Sequence, residues 1–545
     1  MIDPLQSRRP TLAAIITAAR AGSLAHASAM FTAGGFDRLT DDPDALAVKG
    51  RLLKDQALRA TPPNRPALFE AAAQAYRRSN QLRPQPYTQI NEASLLLLAG
   101  KRDQAIEIAT ALLNSMANGA AIAETPYYIE ATRAEAHLIC GATPDAKRGI
   151  SAAFACDPDG WANHASTLRQ FGLLLDALHT DSSWLDTFRP PASLSFAGHL
   201  AVAASQSDDL RRQVDTFLDE TRIGFGYGAL AAGADIVVAE ALLARDIDLH
   251  VILPTSIETF VAQSVAPYDP EWRARFDACI EHASTIQCVT SVSGAYEPLA
   301  TKLAADVAMG AAVLNARQLE AHAAQLLVVD DGSGAFGTGV ATGYLGERWA
   351  ADAQQRLIVM PRSAPIIASG VRMDREGRPD RRLLALLMIN LTGLDDLDDG
   401  TFALRIDSLI RPLDAAARNF TAQPDLTLSY GNSRILAFSS PETAWDYAVA
   451  LQCAAPTALA LRLAAHYAVV HQFDAPPALN GRGIAELNMV SAAALPGVTT
   501  VSDTLAAALA INRADSIWAE HIGEAGALKL YALSPREPQS ENELL

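Results

Sequence analysis

Cysteine, aromatic residues and positive charge are all in short supply in this chain. There are five cysteines, Cys140, Cys156, Cys279, Cys288 and Cys453, an odd number with no CxxC pair. That spacing argues against a disulfide framework or a structural zinc site and fits a reducing compartment, and each thiol is expected to be a small buried hydrophobe. Aromatics make up only 6%, a balance that favours helix-rich α/β architecture over an all-β sandwich. Lys and Arg number 44 against 61 Asp and Glu, a formal net charge of −17, with no basic stripe to overcome it. Nucleic acid is therefore not expected as a partner. No uncharged apolar run reaches the ~18 residues of a membrane span, so no membrane association is expected. Met1–Pro10 is polar and lacks the apolar core of a signal peptide, so the expected location is cytoplasmic.

What is abundant is aliphatic. Hydrophobic residues make up 50% of 545 residues, enough for three or four cores at ~100–200 residues per domain. The first ~180 residues read as paired helices. Ala72 and Tyr76 are four apart and precede Pro84; Gly100 precedes Ala105 by five, with Ala109 four further on; Gly141 precedes Ala146 by five, with Pro158 closing the unit. Small residues let paired helices approach, Gly suits the turn between them, and Pro starts the next unit. These offsets resemble tetratricopeptide repeats, a resemblance that implies stacked antiparallel helix pairs over residues 1–188 with a surface for protein partners. A strand between residue 11 and ~180 would contradict it.

From about residue 189 the pattern alternates. A strand followed by a loop is expected over Ser193–Ala204, strands at His250–Leu253, Thr285–Thr290 and Gln325–Val329, and helices at Asp208–Glu220, Ala234–Ala244, Trp272–Ala283 and Leu303–Ala316, which reads as a parallel, doubly wound sheet. Gly226 to Asp235 is Gly- and Ala-rich and leads into a helix, a turn whose amides could approach an anion. The series "FAGH" from Phe196, "GYGALAAGADIVVAEALLARDIDLHVILP" ending at Pro254, "EWRARFDACIEHAS", "DVAMGAAVLNARQL" and "DDGSGAFGTG" resembles the SLOG-type Rossmannoid domain found beside tetratricopeptide repeats in bacterial multidomain proteins, sometimes described through its similarity to the TRAFs-binding region. The resemblance implies a nucleotide-derived ligand at the sheet's carboxyl edge over residues 189–344, with Gly198, His199, Gly228, Gly233, Asp235, Glu240, Asp330, Gly332 and Gly337 as ligand-binding candidates. Each also has a plainer reading: His199 bonds a backbone carbonyl, Asp235 caps its helix, Glu240 lies on a solvated face. Residues 345–381 read as a connector.

Beyond it an α+β unit is expected over residues 382–535, with a polar tail at 536–545. Its strands are Leu383–Leu391, a hairpin of Leu426–Tyr430 and Arg434–Phe438, Ala460–His471 and Val498–Ser502; its helices are Phe402–Phe420, Pro441–Ala454, Ile484–Ala494 and Asp503–Ala510. The runs "LLALLMINLTGL", "SYGNSRILAFSS", "LRLAAHYAVV", "GRGIAELNMVSAAALPGVTTVSD" and "HIGEAGALKLYAL" resemble, in order and spacing, class III adenylate/guanylate cyclase domains. Such cyclases hold two divalent cations with two carboxylates, and use an Asn and an Arg four residues apart on the helix before Pro-Gly. At those positions stand Asn390 and Asn432, then Ala485 and Met489, and the base-selecting Lys falls near Leu428. The resemblance therefore implies a degenerate cyclase with no catalytic residues and no metal, Mg2+ entering only if the domain is active. Asn390 and Asn432 are expected to be adjacent. Asp395, Asp396, Asp398 and Asp399 read as a solvated helix start.

The expected function is an intracellular nucleotide-sensing signalling protein with a pseudocyclase domain, acting through a nucleotide-derived ligand, protein partners of the helical repeats and a homodimer through the cyclase-like domain. The alternatives are a working cyclase and a scaffold that uses no ligand.

Overall fold

A computed structural model describes residues 10–118, 124–200, 202, 204–290, 298–330, 340–349, 354–360, 380–392, 398–430, 433–455, 457 and 461–536. Asn432, Gly332, Gly337, Asp395 and Asp396 lie outside these. Two compact units divide the chain, Met1–Pro190 and Pro191–Leu545.

The described residues of the first unit are α-helical: α1 Leu12–Arg20, α2 Leu24–Ala33, α3 Pro43–Arg59, α4 Arg65–Leu82, α5 Pro86–Leu98, α6 Arg102–Ala117, α7 Pro126–Ile139, α8 Thr143–Cys156 and α9 Trp161–Leu178, with short 3-10 turns and no strand among them. Proline opens α3, α5 and α7, where its missing N–H is no loss. Gly100 and Gly141 sit at positive φ between α5 and α6 and between α7 and α8. There the Lys101 amide reaches the Leu96 carbonyl and the Ala142 amide that of His137, the bonds that end a helix at a left-handed glycine. Ala72, Ala105, Ala109 and Ala146 are wholly buried. Where α7 meets α8, a Cβ on Gly149 would lie 2.6 Å from that of Ala134, so backbone approach is what the small residues secure.

In the second unit the first sheet is built from β1 Ala192–Gly198, α10 Ala204–Glu220, β2 Ile223–Gly228, α11 Ala234–Leu243, β3 Asp248–Leu253, α12 Ile257–Ser264, α13 Pro270–His282, β4 Thr285–Cys288, α14 Pro298–Gln318, β5 Ala323–Val329, α15 Val340–Arg348 and β6 Gln354–Val359. The strand order is β4-β3-β2-β1-β5-β6, every pair parallel. The order reverses between β1 and β5, so the switch point of this sheet lies at their carboxyl ends. Two expectations need correction. Residues 354–359, read as connector, form strand β6; it is an edge strand with Gln354, Gln355 and Arg356 exposed, so it lacks the apolar run of a buried parallel strand. The Gly-rich segment before α11 includes a full strand, β2, whose glycines are packing requirements: a Cβ on Gly226 would lie 2.4 Å from Leu242.

The second sheet contains β7 Arg381–Leu391, α16 Asp399–Arg405, a π-helical turn Ile406–Ile410, α17 Arg411–Asn419, β8 Leu426–Tyr430, β9 Ser433–Phe438, α18 Pro441–Ala454, β10 Leu461–Asp474, β11 Pro477–Asn480, α19 Arg482–Ala492, β12 Thr499–Ser502, α20 Asp503–Arg513, β13 Ile517–Ala525 and β14 Leu528–Pro535. The order is β13-β14-β12-β10-β7-β9-β8, with β11 on β10; β10 and β12 run parallel and the other pairs antiparallel. Leu384, Leu386 and Met388 of β7 pack with Leu487 and Val490 of α19, whereas the alternate residues Ile389 and Leu391 face α17 and α18. The single helix expected at 402–420 is broken by the π turn, and β13, at the sheet edge, carries too much polarity to read as a strand from the sequence.

The two sheets are joined within this unit. α14 packs on β1, β2, β3 and β5 of the first sheet and on α20, β7 and β10 of the second. A Cβ on Gly310 would lie 1.9 Å from the Ala507 carbonyl oxygen, so α14 and α20 touch backbone to backbone. α14 is long and apolar enough by length and composition to cross a membrane, yet it is mostly buried against protein. Around it, Gln287 donates to Asp503 at 3.0 Å, Tyr344 donates to the buried Asp306 at 2.9 Å, and Arg317 pairs with Asp515 at 2.6 Å.

Candidate functional site

The carboxyl edge of the parallel sheet gathers most of the candidates. Gly198 ends β1 with His199 just beyond it, Gly228 ends β2, Gly233 and Asp235 begin α11, and Asp330 follows β5. Gly233 has φ 108° and ψ −122°, a conformation open to glycine alone. Its neighbours are packed just as closely: a Cβ on Gly198 would lie 2.2 Å from that of Ala234, and one on Gly228 2.6 Å from the Phe196 ring. The space beside Gly228 is therefore filled by Phe196.

Asp235 is the centre of this edge. Its carboxylate oxygens accept the Gly198 amide at 2.8 Å and the Ala231 amide at 3.1 Å. Only 5% of the residue is exposed. Burial pushes its pKa up to about 7, while the two amides pull it down. Two of the N–H groups at this edge, those of Gly198 and Ala231, are thus bonded to a carboxylate of the chain itself. His199 is buried, with Nδ1 3.0 Å from the Leu200 carbonyl and Nε2 2.8 Å from that of Met360; the second contact ties β1 to the end of β6. Glu240 is the exception. It stands more than a helical turn past Asp235 and grips Arg275 of α13 with both oxygens, at 2.7 and 2.6 Å. It joins two helices and does not reach the sheet edge.

In the second sheet, Asn390 lies opposite Ser433 in the register of β7 and β9. Its Nδ2 donates to Ser491 Oγ of α19 at 2.6 Å, and its Oδ1 accepts from Ser433 Oγ at 2.5 Å. Both ends of this amide are satisfied by hydroxyls, so its partners are two serines. Ala485 and Met489 are one turn apart on the exposed side of α19, and neither can carry charge. Leu428 is half-buried against the core under α19. Asp398 accepts the Thr401 amide and hydroxyl at 3.0 and 2.7 Å at the start of α16. Among the described residues no group of three or more His, Cys, Asp or Glu could hold a metal.

One constellation is visible only in three dimensions. His466 of β10, 1% exposed, has Nδ1 2.8 Å from Ser502 Oγ and Nε2 3.2 Å from Glu486. Burial pushes the Glu486 carboxyl up, but His466 and Arg482 hold it below its ordinary value. The order hydroxyl, imidazole, carboxylate is that of a hydrolase relay. Ser502, however, is fully buried, shares its hydroxyl with Thr504 at 2.9 Å and caps α20 by accepting the Leu505 amide at 3.4 Å. No substrate reaches it, so the network fixes α19 and α20 to the sheet. The strand position of His466 in the sequence was the available signal; its partners come from two other elements.

The first unit also holds a polar chain. Lys54 of α3 donates to Gln170 of α9 at 3.0 Å, Gln170 to Glu135 of α7 at 2.8 Å, and Ser94 of α5 to the same Glu135 oxygen at 2.5 Å. Burial lowers the Lys54 pKa and raises that of Glu135.

No family model and no curated protein matches the chain. Solved structures similar to part of it are cyclase domains. The adenylyl cyclase CyaB from P. aeruginosa is 12% identical, covering 28% of this chain and 94% of that one, with a TM-score of 0.24. The guanylate cyclase domain of RhGC from Catenaria anguillulae in complex with GTP is 12% identical, covering 29% and 98%, TM-score 0.24. The adenylate/guanylate cyclase/hydrolase from Silicibacter pomeroyi is 18% identical, covering 28% and 98%, TM-score 0.23.

Proposed function

We propose that this chain is a signalling protein with a tetratricopeptide-like helical unit, a SLOG-like parallel-sheet domain and a class III cyclase-like domain that has lost catalysis. The observation that carries the reading is Asn390, a neutral amide held between Ser433 and Ser491 where cyclisation calls for an ionised metal ligand. Two divalent cations activate the ribose hydroxyl and neutralise the triphosphate in that chemistry; an amide already bonded at both ends supplies no negative charge to attract them. The exposed side of α19, with Ala485 and Met489, likewise offers nothing to stabilise charge at phosphorus.

In this reading a nucleotide-derived ligand binds at the switch point between β1 and β5, beside His199 and Asp330, because Asp235 already engages the Gly198 and Ala231 amides. Occupancy is passed to the cyclase-like sheet through α14 and α20, and protein partners engage the helical unit. A homodimer through the cyclase-like domain belongs to the same reading.

The test is direct. Purified full-length protein given ATP or GTP with Mg2+ or Mn2+ makes no cyclic AMP or cyclic GMP, and Asn390→Asp together with Asn432→Asp restores metal binding without substantial turnover. Robust cyclic nucleotide production by the unmodified protein overturns the reading. A thermal upshift with a nucleotide panel supports the sensing role, since a ligand of the native state alone raises stability; no shift with any nucleotide leaves the scaffold alternative.

A further inference from the structure

The face of the second sheet turned away from α19 contains a cavity of about 500 Å³. Ile389, Leu391 and Leu436 form its floor, Leu413 and Ala417 of α17 its roof, and Tyr447 of α18 one end. Side chains alternate along β7, so Ile389 and Leu391 point away from Asn390, and the cavity is separate from the site above. Its origin is local. The π-helical turn Ile406–Ile410 interrupts the helix that would cover the sheet, and its last residue, Ile410, lines the space. Such turns shift the face a helix presents and recur at functional sites. Ala417, at the roof, is too small to fill the gap.

The mouth is charged. Asp414, Arg418 and Arg434 line it. Arg434 is paired with Asp414 at 2.8 Å. Arg418 is exposed and has no carboxylate partner among the described residues, which leaves one guanidinium at the rim of an apolar chamber. Gln423 donates to the carbonyls of Ala417 and Phe420 at 3.1 and 2.6 Å, holding the end of α17 that carries Arg418.

We propose that this cavity binds an amphipathic monocarboxylate, its alkyl chain in the chamber and its carboxylate on Arg418. The volume lies within the range of small-molecule pockets, and suits a chain of about ten carbons. One guanidinium without a carboxylate partner among the described residues matches one carboxylate in a forked, two-bond geometry, whereas a nucleoside triphosphate would require several cations. This inference does not rest on the nucleotide reading, since it concerns the opposite face of a different sheet.

The experiment uses the full chain and decanoate below its micellar concentration, followed by calorimetry and thermal shift, with methyl decanoate as the uncharged control. Decanoate is expected to bind saturably at one site, methyl decanoate at least tenfold more weakly. Ala417→Trp, which fills the chamber, abolishes binding, and Arg418→Glu weakens it at least tenfold. Binding that does not saturate, an ester as tight as the acid, or Arg418→Glu at wild-type affinity overturns the proposal, as does a folded Ala417→Trp that binds normally. Should Ala417→Trp fail to fold by circular dichroism, Arg418→Glu decides alone, because its side chain is exposed and its replacement disturbs no core.

Discussion

Asp235 combines two opposing influences: burial that disfavours its charge, and two amides that favour it. Its folded pKa, about 7, lies above the unfolded value of ~3.9. Below pH ~4 both states hold the proton and the group contributes nothing. As pH rises from ~4 to ~7 the unfolded chain releases the proton while the folded chain keeps it, so this residue subtracts stability, by about 4 kcal/mol in full. Asp503, raised by burial to about 6, acts with the same sign between ~4 and ~6. The melting temperature is therefore expected to fall between pH 5 and pH 8, and Asp235→Asn to remove much of that fall; the slope is compared, not the absolute value, because the asparagine NH2 cannot accept the second amide. An undiminished slope in the variant refutes the assignment. Gly228→Val is expected to destabilise by about 1–3 kcal/mol through collision with the Phe196 ring, 2.6 Å from the new Cβ, whether or not ligand is present; chemical denaturation measures it.

At the scale of elements, α14 and α20 meet without side chains between them. Gly310→Val places atoms on the Ala507 backbone, which no rotamer relieves, so the two helices must separate. Loss of several kcal/mol is expected, with the melting transition of the second unit split or broadened in calorimetry; an unchanged transition argues that the sheets unfold together for another reason. In the helical unit, Glu135→Ala leaves Ser94 and Gln170 without their shared acceptor, and a loss of about 1–3 kcal/mol, read by chemical denaturation, follows from buried polar groups left unpaired. The elements legible in the sequence were those whose pattern is local: Pro at helix starts, Gly100 and Gly141 at turns, the apolar runs of β7 and β10. β6 and β13 escaped because edge strands, exposed on one side, carry glutamine, glutamate and histidine where a buried strand carries valine and leucine.

At the scale of the whole molecule, each unit has its own core, and residues 10–190 expressed alone are expected to give a helical circular dichroism spectrum with cooperative melting; a spectrum of disordered chain refutes it. What the sequence alone determined is what depends on neighbours within a few residues: the helical first unit and the alternation that makes a parallel sheet. The tertiary structure decided the rest. Asp235 meets the Gly198 amide 37 residues away, Lys54 meets Gln170 across 116, Asn390 meets Ser491 across 101, and Gly310 is pressed against Ala507. None of these pairs has a signature in local periodicity, because crossovers and helix packing, not the residues between the partners, bring them together, and whether a carboxylate or an amide is free for a ligand depends on the partner that the fold delivers to it.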